Sequence, residues 1–247
     1  MTQEVPAESE GRAGFFSRRL VLTSAGSAAL GFVAGWVLHD LGRGTDVDEA
    51  LPNSAREALE RLETGNQRFV SGQVRRRHQS RMWRHGLVPE QHPFATILGC
   101  SDSRVPIELV FDQGFGDLFV VRVAGNVVAP DILGSVAYAV AHVHTPLVVI
   151  LGHEGCGAVT AALKEKDRHG EPQRLEELLR LIDPGLRDLD PRLAGPARLS
   201  AAVEANVRWS MRQLTELAGA RRLIAGHALE VAGAVYDLDS GKVRLLS

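Results

Sequence analysis

Pro146-Leu147-Val148-Val149-Ile150-Leu151-Gly152-His153-Glu154-Gly155-Cys156-Gly157-Ala158 decides the fold. From Leu147 to Leu151 every side chain is apolar. A strand with one wet face would alternate with a period of two. A continuous run of this length predicts a strand covered on both faces, as in parallel sheets. A helix is expected from Ala158. In a parallel α/β sheet, the loop between such a strand and helix lies at the strand's C-terminal end, where functional side chains collect.

Working outward, short apolar runs alternate with helical patterns. Phe94–Gly99 and Leu118–Val123 read as two more strands, and Leu223–Gly226 as a fourth. Val231–Tyr236 and Val243–Leu246, split by Asp239-Ser240-Gly241, read as a terminal hairpin. A helix is predicted over 54–70, with Ser54 as N-cap and Glu57 completing a capping box; Ser71-Gly72 ends it. Further helices are expected over 132–142, 175–182 and 200–217. Residues 183–198, with Pro184, Pro191 and Pro196, read as a loop. The fold class is therefore α/β: a mostly parallel central β-sheet flanked by helices, with an antiparallel C-terminal edge hairpin.

A chain of 247 residues suits one substantial core with one appendage. The formal net charge of -2 gives no global attraction to nucleic acid or to an anionic membrane. The basic stretch Arg75–His85 is accordingly expected to be a solvated arm or a subunit contact, and no nucleic-acid partner is expected. At the N-terminus, Ser17-Arg18-Arg19-Leu20-Val21-Leu22 precedes an apolar segment reaching Leu41. A twin arginine before a moderately apolar, Ala- and Gly-rich run is similar to a twin-arginine-type export signal. A plain membrane anchor is the alternative, since roughly 20 apolar residues span a bilayer. Val33-Ala34-Gly35 is a weak cleavage site. The expected organisation is a signal or anchor over 1–42, a linker over 43–53 and a catalytic domain over 54–247. The domain is expected to be exported to the periplasm or cell envelope and to meet a membrane only through residues 20–41.

The two cysteines occur in Cys100-Ser101-Asp102-Ser103-Arg104 and in His153-Glu154-Gly155-Cys156-Gly157. Two thiolates and an imidazole form a ligand set for one tetrahedral zinc ion per chain, leaving a fourth position for Asp102 or for water. An open fourth position characterises catalytic zinc. A Cys100–Cys156 disulfide is the competing reading, but it needs neither His153 nor Asp102. His153 and Cys156, three apart, can converge at a helix start, whose free N–H groups favour a thiolate. Gly152, Gly155 and Gly157 allow close backbone approach. Asp102 and Arg104 should pair bidentately, which keeps the carboxylate ionised and oriented. Released from Arg104, Asp102 can instead ligate the metal and close the site. His142, His144 and His227 are candidate proton relays for which a structural or surface role is expected; His39, His78, His85, His92 and His169 read as linker or surface residues.

These residues resemble the β-class carbonic anhydrases, over a stretch running from about Ala50 to the C-terminus. Besides the two cysteine motifs, Glu63–Phe69 resembles the family's N-terminal helix. Phe111-Asp112-Gln113-Gly114 and Val121–Asn126 resemble its substrate-pocket segments, and Gly233–Asp237 with Gly241 its closing hairpin. The resemblance implies zinc on Cys100, His153 and Cys156, with Asp102 and Arg104 as a catalytic dyad. It implies Gln113 as a substrate-side hydrogen-bond donor, with Gly157 and Tyr138 at the substrate pocket. The implied reaction is reversible hydration of carbon dioxide to bicarbonate and a proton through zinc-bound hydroxide. An obligate homodimer is implied, with assembly to a tetramer or higher as an extension. The alternatives are a zinc hydrolase for carbonyl sulfide or carbon disulfide on the same scaffold, and a noncatalytic zinc-stabilised envelope protein.

Overall fold

The computed structural model describes residues 50–164 and 171–246. The twin-arginine segment, the apolar run 20–41, most of the expected linker, His39 and His169 lie outside the described residues. Among the described residues no helix is long and apolar enough to cross a membrane.

Among the described residues five strands, β1 (Ala95–Gly99), β2 (Leu118–Arg122), β3 (Leu147–His153), β4 (Glu230–Tyr236) and β5 (Val243–Leu246), form one sheet in the order β2-β1-β3-β4-β5. The first four run parallel and β5 is antiparallel to β4. β3 is buried at all seven positions. Leu147, Val149 and Leu151 point into one core with Ala58, Leu62, Ile97 and Phe111. Val148 and Ile150 point into the other, with Leu98, Val203, Val207 and Leu214. Each fully buried side chain of this size contributes roughly 1.5–3 kcal/mol, so the apolar run that marks β3 also anchors both layers.

Helix α1 (Ala55–Val70) covers the first face. Ser54 Oγ accepts the Glu57 N–H, as the capping box requires, while the Glu57 carboxylate reaches back to the Asn53 N–H. Gly65 is obligatory: a Cβ there would lie 1.8 Å from the Phe111 carbonyl oxygen. The neighbouring Asn66 amide donates to the Val110 and Gly241 carbonyls, and its oxygen accepts the Val243 N–H. One buried side chain thereby joins α1 to the terminal hairpin.

Two short helices follow, α2 (Arg81–Gly86) and α3 (Ile107–Val110), then α4 (Pro130–His142), α5 (Gly157–Ala162) and α6 (Gln173–Ile182). The second face is closed by α7 (Gly195–Thr215) and α8 (Ala218–Ala225).

Three expectations need correction. Leu223–Gly226 is not a strand but the end of α8: Ala220 and Ile224, four apart, pack on the second core while Leu223 turns outward. Four apolar residues are too few to separate a strand from one helical turn by pattern. The fourth strand is β4, which pairs parallel with β3 as well as forming the hairpin with β5. The proline-rich loop is shorter than expected, because a 3₁₀ turn spans Asp183–Leu186 and α7 already begins at Gly195. Pro196 sits in the first turn, where a missing N–H costs nothing. Most side chains of the basic stretch are exposed, but its start is tied down and His78 is not a surface residue. The Arg75 and Arg76 N–H groups bind the Asp112 carboxylate. His78, 1% exposed, meets Asp117 at 2.8 Å and stacks on Trp83 at 3.8 Å. Asp112 and Asp117 also bind Arg68 and Arg61 of α1. Buried carboxylates hold the segment through its backbone N–H groups and the His78 ring, a pairing no local pattern reveals.

Candidate metal centre

The register of the sheet assembles the site. Gly99 lies beside both Leu151 and Arg122, so the Cys100 loop leaves the sheet next to the end of β3. His153 is the last residue of β3, and Cys156 is the N-cap of α5. Cys100, His153 and Cys156 are all buried, and their ligand atoms lie within 4.8 Å of one another. The two thiols are free, so the disulfide reading does not describe this structure.

The imidazole is oriented for ligation. His153 Nδ1 lies 2.9 Å from the Glu154 carbonyl oxygen, which can only accept a proton. Nδ1 therefore carries the hydrogen and Nε2 offers a lone pair. Nε2 is buried without a hydrogen-bond partner. Buried polar atoms are rarely left so, and an unpaired imidazole nitrogen beside two thiols fits a thiophilic metal such as zinc.

The thiols divide their protons unequally. Cys100 is driven down, first by a hydrogen bond from Cys156 and, against its burial, by the Gly125 N–H. Gly125 N lies 3.3 Å from the Cys100 sulfur. Cys156 is driven up by that same sharing with Cys100 and by burial.

At the mouth of the site, Arg104 Nε and an Nη donate to the two Asp102 oxygens at 2.9 and 2.7 Å, and the Arg104 N–H adds a third bond at 2.9 Å. The guanidinium also reaches the Gly155 carbonyl at 3.4 Å, bridging the two motif loops. The Arg104 hydrogen bonds hold the Asp102 carboxyl well below the usual carboxylate range. Asp102 Oδ2 lies 3.8 Å from His153 Nε2. Its carboxylate thus borders the ligand group while Arg104 holds both oxygens.

The remaining candidates are more scattered. Gly157 is exposed at the start of α5, with open space where a Cβ would point. Gln113 is buried on the turn after α3: its amide donates to the Phe111 carbonyl at 2.8 Å and its oxygen accepts from Arg61 at 3.1 Å. Tyr138 lies half exposed on α4, with its ring near His142 and Phe119. Both residues have their contacts away from the ligand group. His144 and His227 are exposed residues in left-handed turns.

Arg122, which the sequence places in a pocket-like segment without a role of its own, donates from its guanidinium to the Cys100 and Asp102 carbonyls at 3.1 and 2.7 Å and so fixes the loop carrying both. Asn206 and Ser210, polar residues on the buried face of α7, are not singled out by the sequence. Arg122 is the one polar residue of β2, a local signal, whereas Asn206 and Ser210 sit among other polar residues of α7 and give none.

Residues 95–243 match the family profile described as carbonic anhydrase. The chain is 40% identical over 190 residues to carbonic anhydrase 2 of Mycobacterium tuberculosis, covering 76% of this chain and 91% of that one. It is 39% identical over 201 residues to a carbonic anhydrase of Mycolicibacterium smegmatis, covering 80% and 96%. Among solved structures it is similar to the β-carbonic anhydrase CcaA, with a TM-score of 0.65 and 25% identity over 76% of this chain and 95% of that one. It is also similar to one of two tetrameric β-carbonic anhydrases from Sordaria macrospora, with a TM-score of 0.62 and 27% identity over 74% and 94%.

Proposed function

This chain belongs to the β-carbonic anhydrase family, and on that premise we propose that Cys100, His153 and Cys156 hold a zinc ion beside which Asp102 and Arg104 act in the reversible hydration of carbon dioxide to bicarbonate and a proton. The observation that carries the site assignment is the convergence of three buried ligand atoms next to a carboxylate held on both oxygens by an arginine. Zinc in that place supplies Lewis acidity, the property that makes water a nucleophile near neutral pH.

The chain's own residues do the rest. The Glu154 carbonyl keeps His153 in the tautomer that presents Nε2. Arg104 keeps Asp102 ionised, so its carboxylate can accept a hydrogen bond from the attacking oxygen and turn that oxygen's lone pair toward carbon dioxide. We read the bidentate pairing as the open arrangement; a turn of Asp102 away from Arg104, onto the metal, is the closed one. The bare, exposed Gly157 leaves room for substrate. Gln113 and Tyr138 are assigned to the substrate side through family resemblance, Gln113 as a donor.

The working form is a homodimer or a larger even-numbered assembly; the Sordaria macrospora relative, itself tetrameric, supports this reading. Residues 17–41 direct export, placing the domain in the periplasm or cell envelope. Fractionation of cells carrying the Arg18→Lys, Arg19→Lys chain tests this: retention in the cytoplasm is expected, and unchanged export would contradict it.

The reaction is tested by assaying carbon dioxide, carbonyl sulfide and carbon disulfide on one zinc-loaded preparation. Fast turnover of carbon dioxide is expected. Turnover confined to a sulfur-containing substrate would replace this reading with that of a hydrolase.

A further inference from the structure

Two consecutive residues, Gly125 and Asn126, have positive φ, at 70° and 44°. They form the turn after β2, and both are buried. A Cβ on Gly125 would meet Ile182 Cδ1 at 2.9 Å and the Ala158 Cβ at 3.1 Å, so the turn is clamped from α6 and α5 as well as bent in the left-handed region. Asparagine tolerates that region better than most residues, but a pair of such residues persists only where surroundings hold it.

What holds it is α7. Asn206 Nδ2 donates to the Gly125 carbonyl at 2.8 Å, and Ser210 Oγ donates to the Asn126 carbonyl at 3.1 Å. The two residues lie four apart on one face of α7, and each has no solvent exposure. Apolar residues flank them, with Val203 and Val207 in the second core. Asn206 Oδ1 is buried with no partner. A helix face that needed only to pack would be apolar there, since burying an amide with half its capacity unmet is unfavourable. The same turn points the Gly125 N–H at the Cys100 sulfur.

We propose that Asn206 and Ser210 are positioning residues for the metal centre: they hold the 125–126 turn so that its N–H donates to the Cys100 thiolate and moderates that ligand's charge. The proposal rests on the reading of Cys100, His153 and Cys156 as the metal ligands. An N–H···S bond withdraws electron density from the sulfur, so losing it makes the thiolate a stronger donor and shifts its ligand-to-metal absorption to longer wavelength. Disorder in the turn also weakens zinc binding, by roughly 10-fold for loss of such an outer-shell contact.

The test uses the full chain with cobalt(II) in place of zinc, and reads the thiolate charge-transfer band and, separately, zinc affinity by chelator competition. Asn206→Ala should move the band to longer wavelength and weaken zinc about 10-fold. Ser210→Ala should shift it in the same direction by less, and decides the matter if Asn206→Ala does not fold. Leu214→Ala, which removes core packing farther along the same helix, should lower stability and leave the band in place. Unshifted bands in both polar variants, or an equal shift in Leu214→Ala, would overturn the positioning role while leaving the metal reading intact. A parent protein with no thiolate band would defeat both readings.

Discussion

Asp102-Ser103-Arg104 and Asp190-Pro191-Arg192 are the same small device in two places. In each, the arginine N–H, Nε and one Nη donate to the aspartate, at 2.9, 2.9 and 2.7 Å in the first and 2.9, 3.0 and 2.8 Å in the second. In each, the arginine holds the carboxyl below its ordinary range. Their surroundings differ. Asp190 stands in an exposed loop, and its arginine is 89% exposed. Asp102 is 17% exposed and lies 3.8 Å from the His153 imidazole, and its arginine also spans to the opposite loop. A fixed carboxylate becomes chemical equipment only beside a group that needs one.

The largest expected effect sharpens that contrast. Asp102→Ala should lower turnover by roughly 10²–10³-fold, the scale of a lost proton-handling or charge-positioning group. Its stability should change by less than about 1 kcal/mol, because partly exposed pairs contribute little; urea denaturation beside the rate assay checks both. Arg104→Ala should cost less, about 10–10²-fold, since the carboxylate remains but loses its hold. It should also return the Asp102 pKa toward about 3.9. The sign follows: a depressed pKa keeps the parent carboxylate ionised until pH falls well below the ordinary range, and in Arg104→Ala protonation sets in at higher pH. A carboxyl titration followed by NMR reads this directly.

Metal uptake separates the two devices in another way. Zinc needs both thiolates, and sharing with Cys100 together with burial holds the Cys156 thiol up, so binding near pH 7 should release protons and weaken as pH falls. Calorimetry in buffers of different ionisation heat measures that release; Asp190→Ala should not alter it. The smallest effect is the one the comparison most needs. Asp190→Ala should change stability by no more than about 0.5 kcal/mol and leave turnover where it was. A large loss in that variant would break the distinction between the two pairs.

Much of this is legible in the amino-acid sequence. The apolar run 147–151 announces a strand covered on both faces, and it is one. Cys100, Asp102, Arg104, His153 and Cys156 group by chemistry and spacing, and the sheet register brings them together. What stays hidden is non-local. Asp112 and Asp117 pair with Arg68 and Arg61, 44 and 56 positions away, and no local pattern connects them. His78 looks like one more member of a basic arm because its partner, Asp117, lies 39 positions along the chain. Leu223–Gly226 misleads because one helical turn and a short strand share the same four apolar letters. The role of Arg122 stays hidden because its partner, the Cys100 carbonyl, lies 22 positions back along the chain.

The most direct test of the account is stopped-flow hydration of carbon dioxide by the zinc-loaded protein, compared with the Asp102→Ala protein at matched zinc content. The account predicts rapid turnover by the parent and a loss of roughly 10²-fold or more in the variant, with zinc retained by both. Equal rates in the two proteins, or no turnover by a parent carrying one zinc per chain, would contradict it.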